Sequence, residues 1–176
     1  KHPVSVDTYI EATLSGAKAV LVRLIGGAAY WAYGLASLQD LARRRGIALA
    51  VLPADGRPDA ALEAASTLPV STLHRLAALC DAGGAVAAQA ALAQLALAAG
   101  LYAGPVPGDK SMPDWGFYDP ARGVVAGAEG ASVLVSFYRS YLTAADTGPV
   151  DAVIAALRDQ GVSAMGVFAP SLKAPG

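Results

Sequence analysis

Apolar positions along this chain fall into two alternating kinds of run, and the alternation predicts the elements. Val6, Tyr9, Ile10, Thr13, Leu14 and Ala17 recur at helical spacing behind Pro3 and Ser5, and Gly16 closes a short leading helix. Ala19 to Ile25 is instead a nearly continuous, β-branched apolar run ending at Gly26-Gly27, the pattern of a strand covered on both faces of a parallel sheet. From Trp31 to Arg45 a helical stripe returns through Leu35, Leu38, Leu41 and Ala42, with Arg43, Arg44 and Arg45 in the last turn and Gly46 just past it. A second strand, Ile47 to Leu52, follows at once and completes a βαβ unit whose crossover is expected to be right-handed.

The same order recurs near the far end. Ser132 to Tyr138 reads as a strand, Pro149 to Gln160 as a helix with Val150, Val153, Ile154 and Leu157 inward, and Val162 to Ala169 as a strand after Gly161. Between the units, Pro69 to Gly83 and Gly84 to Gly100 read as two helices meeting at a Gly-Gly junction. Tyr102 to Gly130 carries four Pro and six Gly with Trp115, Phe117 and Tyr118, too long for a plain connector, so a functional loop or an extended crossing is expected there. The expected class is α/β, with parallel-stranded βαβ units of doubly wound, flavodoxin-like character and a helical pair inserted between them. The expected organisation is a first lobe over 1–68, the helical pair and aromatic loop over 69–130, and a second lobe over 131–176.

Composition narrows the function classes. The chain has 176 residues, enough for one domain or two small lobes. Thirteen basic against fourteen acidic residues leave no field to hold a phosphate backbone, so nucleic acid is not an expected partner. The most apolar stretch, Ala85 to Ala99, carries Gln89 and Gln94 and is shorter than the roughly 20 residues of a membrane crossing, so no membrane span is expected. Only 15% of residues are charged, against roughly 25% in an ordinary domain, which suggests surface covered by other protein. Cys80 is the single cysteine, so no internal disulfide can form and core packing is its expected role. The chain opens KHPVSV and stops at SLKAPG, and both ends read as cuts through a longer protein.

Familiar catalytic patterns are missing. Gly26-Gly27 opens neither a Walker loop nor a dinucleotide fingerprint. His2 and His74 have no neighbouring ligand at metal spacing, and Ser136, Ser140 and Ser171 lack a nucleophile elbow. Open α/β sheets bind ligands beyond the carboxyl ends of their strands. That rule selects Gly26, Gly27, Tyr30 and Trp31 after the first strand, Tyr138 and Arg139 after the third, and Ser171 and Lys173 after the fourth. Together they offer aromatic planes and cations; the plainer alternative is tight turns, a packed aromatic plug and solvated charges. Arg23, inside an apolar run, needs a partner if buried, most simply an ion pair to a neighbouring helix.

The phrase from Arg23 to Gly34, R-x-x-G-G-x-x-Y-W-x-Y-G, resembles a segment of the large subunit of aerobic cobaltochelatase, the CobN type. SVDTYIEATLSGAK, ALAVLPADGRPD from Ala48, STLPVSTLHRL from Ser66, FYRSYL from Phe137, DTGPVDAVIAALRDQG from Asp146 and the closing SLK follow in order, weakening between Ala85 and Gly130. The resemblance implies an amino-terminal portion of a much longer cytoplasmic subunit that binds a tetrapyrrole. The intact complex would insert Co2+ into hydrogenobyrinic acid a,c-diamide during cobalamin synthesis, using Mg-ATP hydrolysed by separate AAA+ motor subunits. The fragment itself is expected to be inactive and to bind no cofactor, and its catalytic residues are unknown. Its carboxylates and histidines, Glu11, Glu63, Glu129, His2 and His74, sit on unrelated elements, which places the metal chemistry elsewhere. A non-catalytic interaction lobe, or the equivalent part of a magnesium chelatase H subunit, are the alternatives. Ala145-Asp146 stands where the family pattern has Gly-Asp, so a non-glycine residue is expected there at unusual φ.

Overall fold

Residues 2–171 and 173 are described by the structure, a computed structural model. They form two compact units, Lys1–Asp81 with Ala88–Gly108, and Ala82–Ala87 with Asp109–Gly176.

The first unit is built on two parallel strands, β1 (Ala19–Leu24) and β2 (Ala48–Pro53), in register from Ala19 opposite Ala48 to Leu24 opposite Pro53. Side chains alternate across a strand. Leu49 and Val51 therefore enter one core with Leu35, Leu38 and Leu41 of α2 (Ala32–Arg45), Leu62 of α3 (Ala60–Ala65), and Val6 of α1 (Pro3–Tyr9), which runs on as a π-turn over Ile10–Leu14. Ala50 and Leu52 enter the other core, with Leu73 and Leu76 of α4 (Val70–Ala82) and Ala91 and Leu95 of α5 (Gly84–Ala98). Helices thus cover both faces, as the nearly continuous apolar runs require. Full burial of Leu49, Val51 and Leu52 stabilises the unit by about 1.5–3 kcal/mol each.

The far edge of β2 is closed without a third strand. Thr67 Oγ1 accepts from the Leu49 amide at 2.8 Å, Ser66 Oγ accepts from the Val51 amide at 2.9 Å, and the Thr67 amide donates to the Leu49 carbonyl. Three strand boundaries move by one residue from the expected ones, β2 running on through Pro53. Ile47 donates its amide to the Ala42 carbonyl and belongs to the cap of α2 behind left-handed Gly46, while Ile25, 69% exposed, has already left the ladder.

In the second unit β5 (Val133–Tyr138), α7 (Gly148–Asp159) and β6 (Ala164–Ala169) form the expected parallel strand–helix–strand unit. The last strand starts later than Val162, whose amide caps α7 by donating to the Leu157 carbonyl. The Gly/Pro-rich stretch holds an unexpected hairpin, β3 (Gly116–Asp119) and β4 (Gly123–Val125), which adds antiparallel strands to give the order β4-β3-β6-β5. Tyr118, Phe137 and Phe168 form its aromatic core with Val150 and Ile154 of α7, and Gly166 leaves room for the Phe137 ring, which an added Cβ would approach to 2.7 Å. A short helix, α6 (Arg139–Thr143), follows β5. Among the described residues no helix is long and apolar enough to cross a membrane.

Candidate functional site

At the carboxyl end of β1 the chain turns through Gly26 and Gly27, both at positive φ, into a single 3₁₀ turn over Ala28–Trp31, with the Tyr30 amide donating to the Gly27 carbonyl at 3.2 Å. Glycine is needed at both positions for its backbone freedom. At Gly27 an added Cβ would also come within 3.0 Å of Asp59 Oδ2, and at Gly26 it would rest on the Tyr30 ring. Much of the Arg23–Gly34 phrase is explained by local packing. The Trp31 indole lies over Gly34, where a Cβ would overlap it at 1.9 Å, and packs on the core beneath α2. Its buried Nε1–H has no hydrogen-bond partner among the described residues. Tyr33 donates its hydroxyl to the Asp7 carboxylate at 2.8 Å, tying α2 to α1; this bond raises the phenol above its ordinary pKa. Arg23, exposed although it sits inside the apolar run of β1, meets Asp81 of α4 at 2.6 Å, the ion pair to a neighbouring helix that the sequence suggested.

Beyond the end of β2 lies a cleft of about 260 Å³, lined by the 53–59 loop, α3 and α4. Its floor is apolar, with Leu52, Leu73 and Ala77, and its polar groups are Arg57, Asp59, Glu63, His74 and Asp81. Of the histidines and glutamates expected on unrelated elements, the structure brings one pair together. Glu63 in the first turn of α3 and His74 in α4 meet with Oε1 and Nε2 3.0 Å apart. Asp59 caps α3, its Oδ1 accepting from the Ala61 and Leu62 amides at 2.9 and 3.2 Å. The signal available in the sequence was Asp59 followed by Glu63 in a first turn; the helix it starts is only six residues long. Cys80 packs beside this core, and burial pushes its thiol above the usual range, which does not suit a nucleophile.

The other four candidates lie in the second unit. Tyr138 ends β5 half-exposed, whereas Arg139 is mostly covered. Its Nε donates to the Pro113 carbonyl at 3.0 Å and its Nη2 to the Met112 carbonyl at 2.9 Å, so this guanidinium fastens the 109–114 segment. After β6, Ser171 Oγ accepts from the Lys173 amide at 3.1 Å. The eight candidates therefore divide evenly: Gly26, Gly27, Tyr30 and Trp31 are brought together at one strand end of the first unit, and Tyr138, Arg139, Ser171 and Lys173 belong to the second. Among the described residues, no three His, Cys, Asp or Glu side chains gather as a metal cage.

An α/β chain with parallel βαβ units and a polar cleft beyond its strand ends is the class these features define. The chain is similar over nearly its whole length to a segment of the CobN subunit of aerobic cobaltochelatases. It is 37% identical over 191 residues to the CobN subunit from Sinorhizobium sp and 32% identical over 184 residues to that from Pseudomonas aeruginosa, each match covering 98% of this chain. It spans 15% and 14% of those relatives' lengths. In fold it is similar to the catalytic subunit of cobaltochelatase from Mycobacterium tuberculosis, with a TM-score of 0.73 and 24% identity over 97% of this chain and 14% of that one. No family model matches the sequence.

Proposed function

We propose that this chain is a lobe of the large, tetrapyrrole-binding subunit of an ATP-dependent cobaltochelatase, which inserts Co2+ into hydrogenobyrinic acid a,c-diamide in cobalamin synthesis. The observation that carries the reading is the 37% identity maintained over 98% of the chain. In this reading cobalt is a substrate and ATP is hydrolysed by separate AAA+ motor subunits that dock on the whole assembly. Metal insertion requires a divalent ion to shed water while the ring nitrogens lose protons, which calls for a metal-delivery group and a base. Our reading assigns those groups to parts of the subunit outside this chain and gives this lobe the grip on the macrocycle's periphery.

The face we assign to that grip is the carboxyl end of β1 and β2. Gly26 and Gly27 let a ligand approach backbone there, and Tyr30 and Arg57 supply a plane and a cation at the same edge. Tyr138, Arg139, Ser171 and Lys173 remain candidates for a second set of contacts, with Arg139 the weakest because its donors are already engaged. That engagement, and the packing of Trp31 into the core, favour a second reading in which the lobe is scaffold alone. A titration of the purified chain with hydrogenobyrinic acid a,c-diamide, followed by tryptophan fluorescence with a Trp31→Phe control, separates the two. Saturable quenching supports the grip. No binding at concentrations that saturate the intact subunit leaves the scaffold role.

A further inference from the structure

The cleft beyond β2 has a composition that selects its ligand. Three carboxylates, Asp59, Glu63 and Asp81, stand against the guanidiniums of Arg57 and Arg23 and the His74 imidazole, so no excess positive charge is available for a bare anion. Most of these groups have one side committed. Asp81 pairs with Arg23, Asp59 Oδ1 caps α3, and Glu63 Oε1 meets His74. Among the described residues the Arg57 guanidinium has no ion-pair or side-chain hydrogen-bond partner, and Glu63 Oε2 and His74 Nδ1 are likewise unengaged. The cleft thus offers a free donor and free acceptors above an apolar floor of Leu52, Leu73 and Ala77, in a volume of about 260 Å³. A group that both accepts and donates while remaining uncharged satisfies this set, and a primary carboxamide on a short alkyl arm is such a group.

We infer that the cleft binds a carboxamide-tipped arm of the macrocycle, with Arg57 donating to the amide oxygen and Glu63 accepting from the amide nitrogen while His74 holds Glu63 in place. This rests on the reading of the chain as a tetrapyrrole-binding lobe. It makes the cleft the place where an amidated arm is distinguished from the free acid, since a carboxylate there would face Glu63 and Asp59.

The test uses the 176-residue chain, its Arg57→Ala variant, which removes a guanidinium with no partner, and an Ala77→Leu variant, which fills the floor; circular dichroism confirms folding of each. Hydrogenobyrinic acid a,c-diamide and hydrogenobyrinic acid are titrated against all three, and propionamide against the parent chain with the methyl signals of Leu52 and Leu73 followed by NMR. The diamide is expected to bind at least tenfold tighter than the unamidated acid, each variant to lose at least fivefold in diamide affinity, and propionamide to shift the Leu52 and Leu73 methyls. Diamide binding that is unchanged in both folded variants, or equal affinity for the unamidated acid and the diamide, overturns the cleft assignment and leaves the tetrapyrrole-binding reading intact. Absence of macrocycle binding together with propionamide shifts overturns that reading while supporting the amide site, and absence of both overturns the two together.

Discussion

Ala145 carries an energetic cost that a single substitution should remove. After α6 the amide of Ala145 donates to the Leu142 carbonyl at 3.1 Å, and the amide of Asp146 reaches back to the Tyr141 carbonyl at 2.9 Å. This paired pattern is a Schellman cap, and its C′ position is left-handed. Ala145 occupies it with φ of 54°, the only positive φ outside glycine among the described residues. Holding a Cβ there costs about 1–2 kcal/mol. Glycine would relieve that cost and give back about 0.4–1 kcal/mol through a more flexible unfolded chain. Ala145 is exposed, so its methyl makes little packing contribution. Ala145→Gly should therefore stabilise the protein by about 0.5–1 kcal/mol, the difference of those two effects. The matched control is Ala144→Gly one residue earlier, where φ is −83° and the same change should cost about 0.5–1 kcal/mol. Urea unfolding followed by circular dichroism measures both midpoints. Equal destabilisation by the two variants would refute the assignment of strain to Ala145.

Other predictions follow from the same contacts. Gly34→Ala should destabilise the first unit by about 1–3 kcal/mol and alter the near-ultraviolet signal of Trp31, because the new methyl overlaps the indole; an unchanged spectrum and midpoint would contradict that packing. Arg139→Ala should cost about 1.5–3 kcal/mol through the lost bonds to Pro113 and Met112 and speed amide exchange over 109–114; a loss of macrocycle affinity with stability and exchange unchanged would instead make Arg139 a ligand contact. Arg158, 2.7 Å from Asp119, holds that carboxyl below its ordinary pKa. Because the folded value is the lower one, this contribution is complete above about pH 4 and is lost as pH falls through the folded pKa. Thermal midpoints of the parent should thus fall more steeply below pH 4 than those of Asp119→Asn, and parallel profiles would refute the pairing.

The parallel strands were legible because burial on both faces writes a nearly continuous apolar run, broken only by Arg23 in Ala19–Leu24 and unbroken in Ala48–Pro53, and because glycine marks the turns at Gly26, Gly46 and Gly161. Two kinds of element escaped. The β3–β4 strands are four and three residues long, too short to show a period, although Asp119 to Gly123 is a recognisable turn in which Asp119 Oδ1 accepts from the Ala121 and Arg122 amides. Helix α3 is hidden by its brevity in the same way. The site was half legible. Strand-end logic picked out Gly26, Gly27 and Tyr30, which lie together after β1, but the Glu63–His74 contact depends on how α3 packs beside α4, and no local pattern records it. Arg139 shows the converse: its position after a strand suggested a ligand, and its fold neighbours use it as a fastener. The left-handed backbone at Ala145 was legible through the family pattern, which has glycine there.

We propose that this lobe grips a tetrapyrrole at the carboxyl end of β1 and β2. The most direct test is an amide NMR map of the isotopically labelled chain as hydrogenobyrinic acid a,c-diamide is added without metal. Saturable shifts are expected at Gly26 to Trp31 and at the 53–59 loop, with His74 and Ala77 moving in step. Saturable shifts confined to the β3–β4 hairpin and α7, with the β1–β2 edge silent, would contradict it.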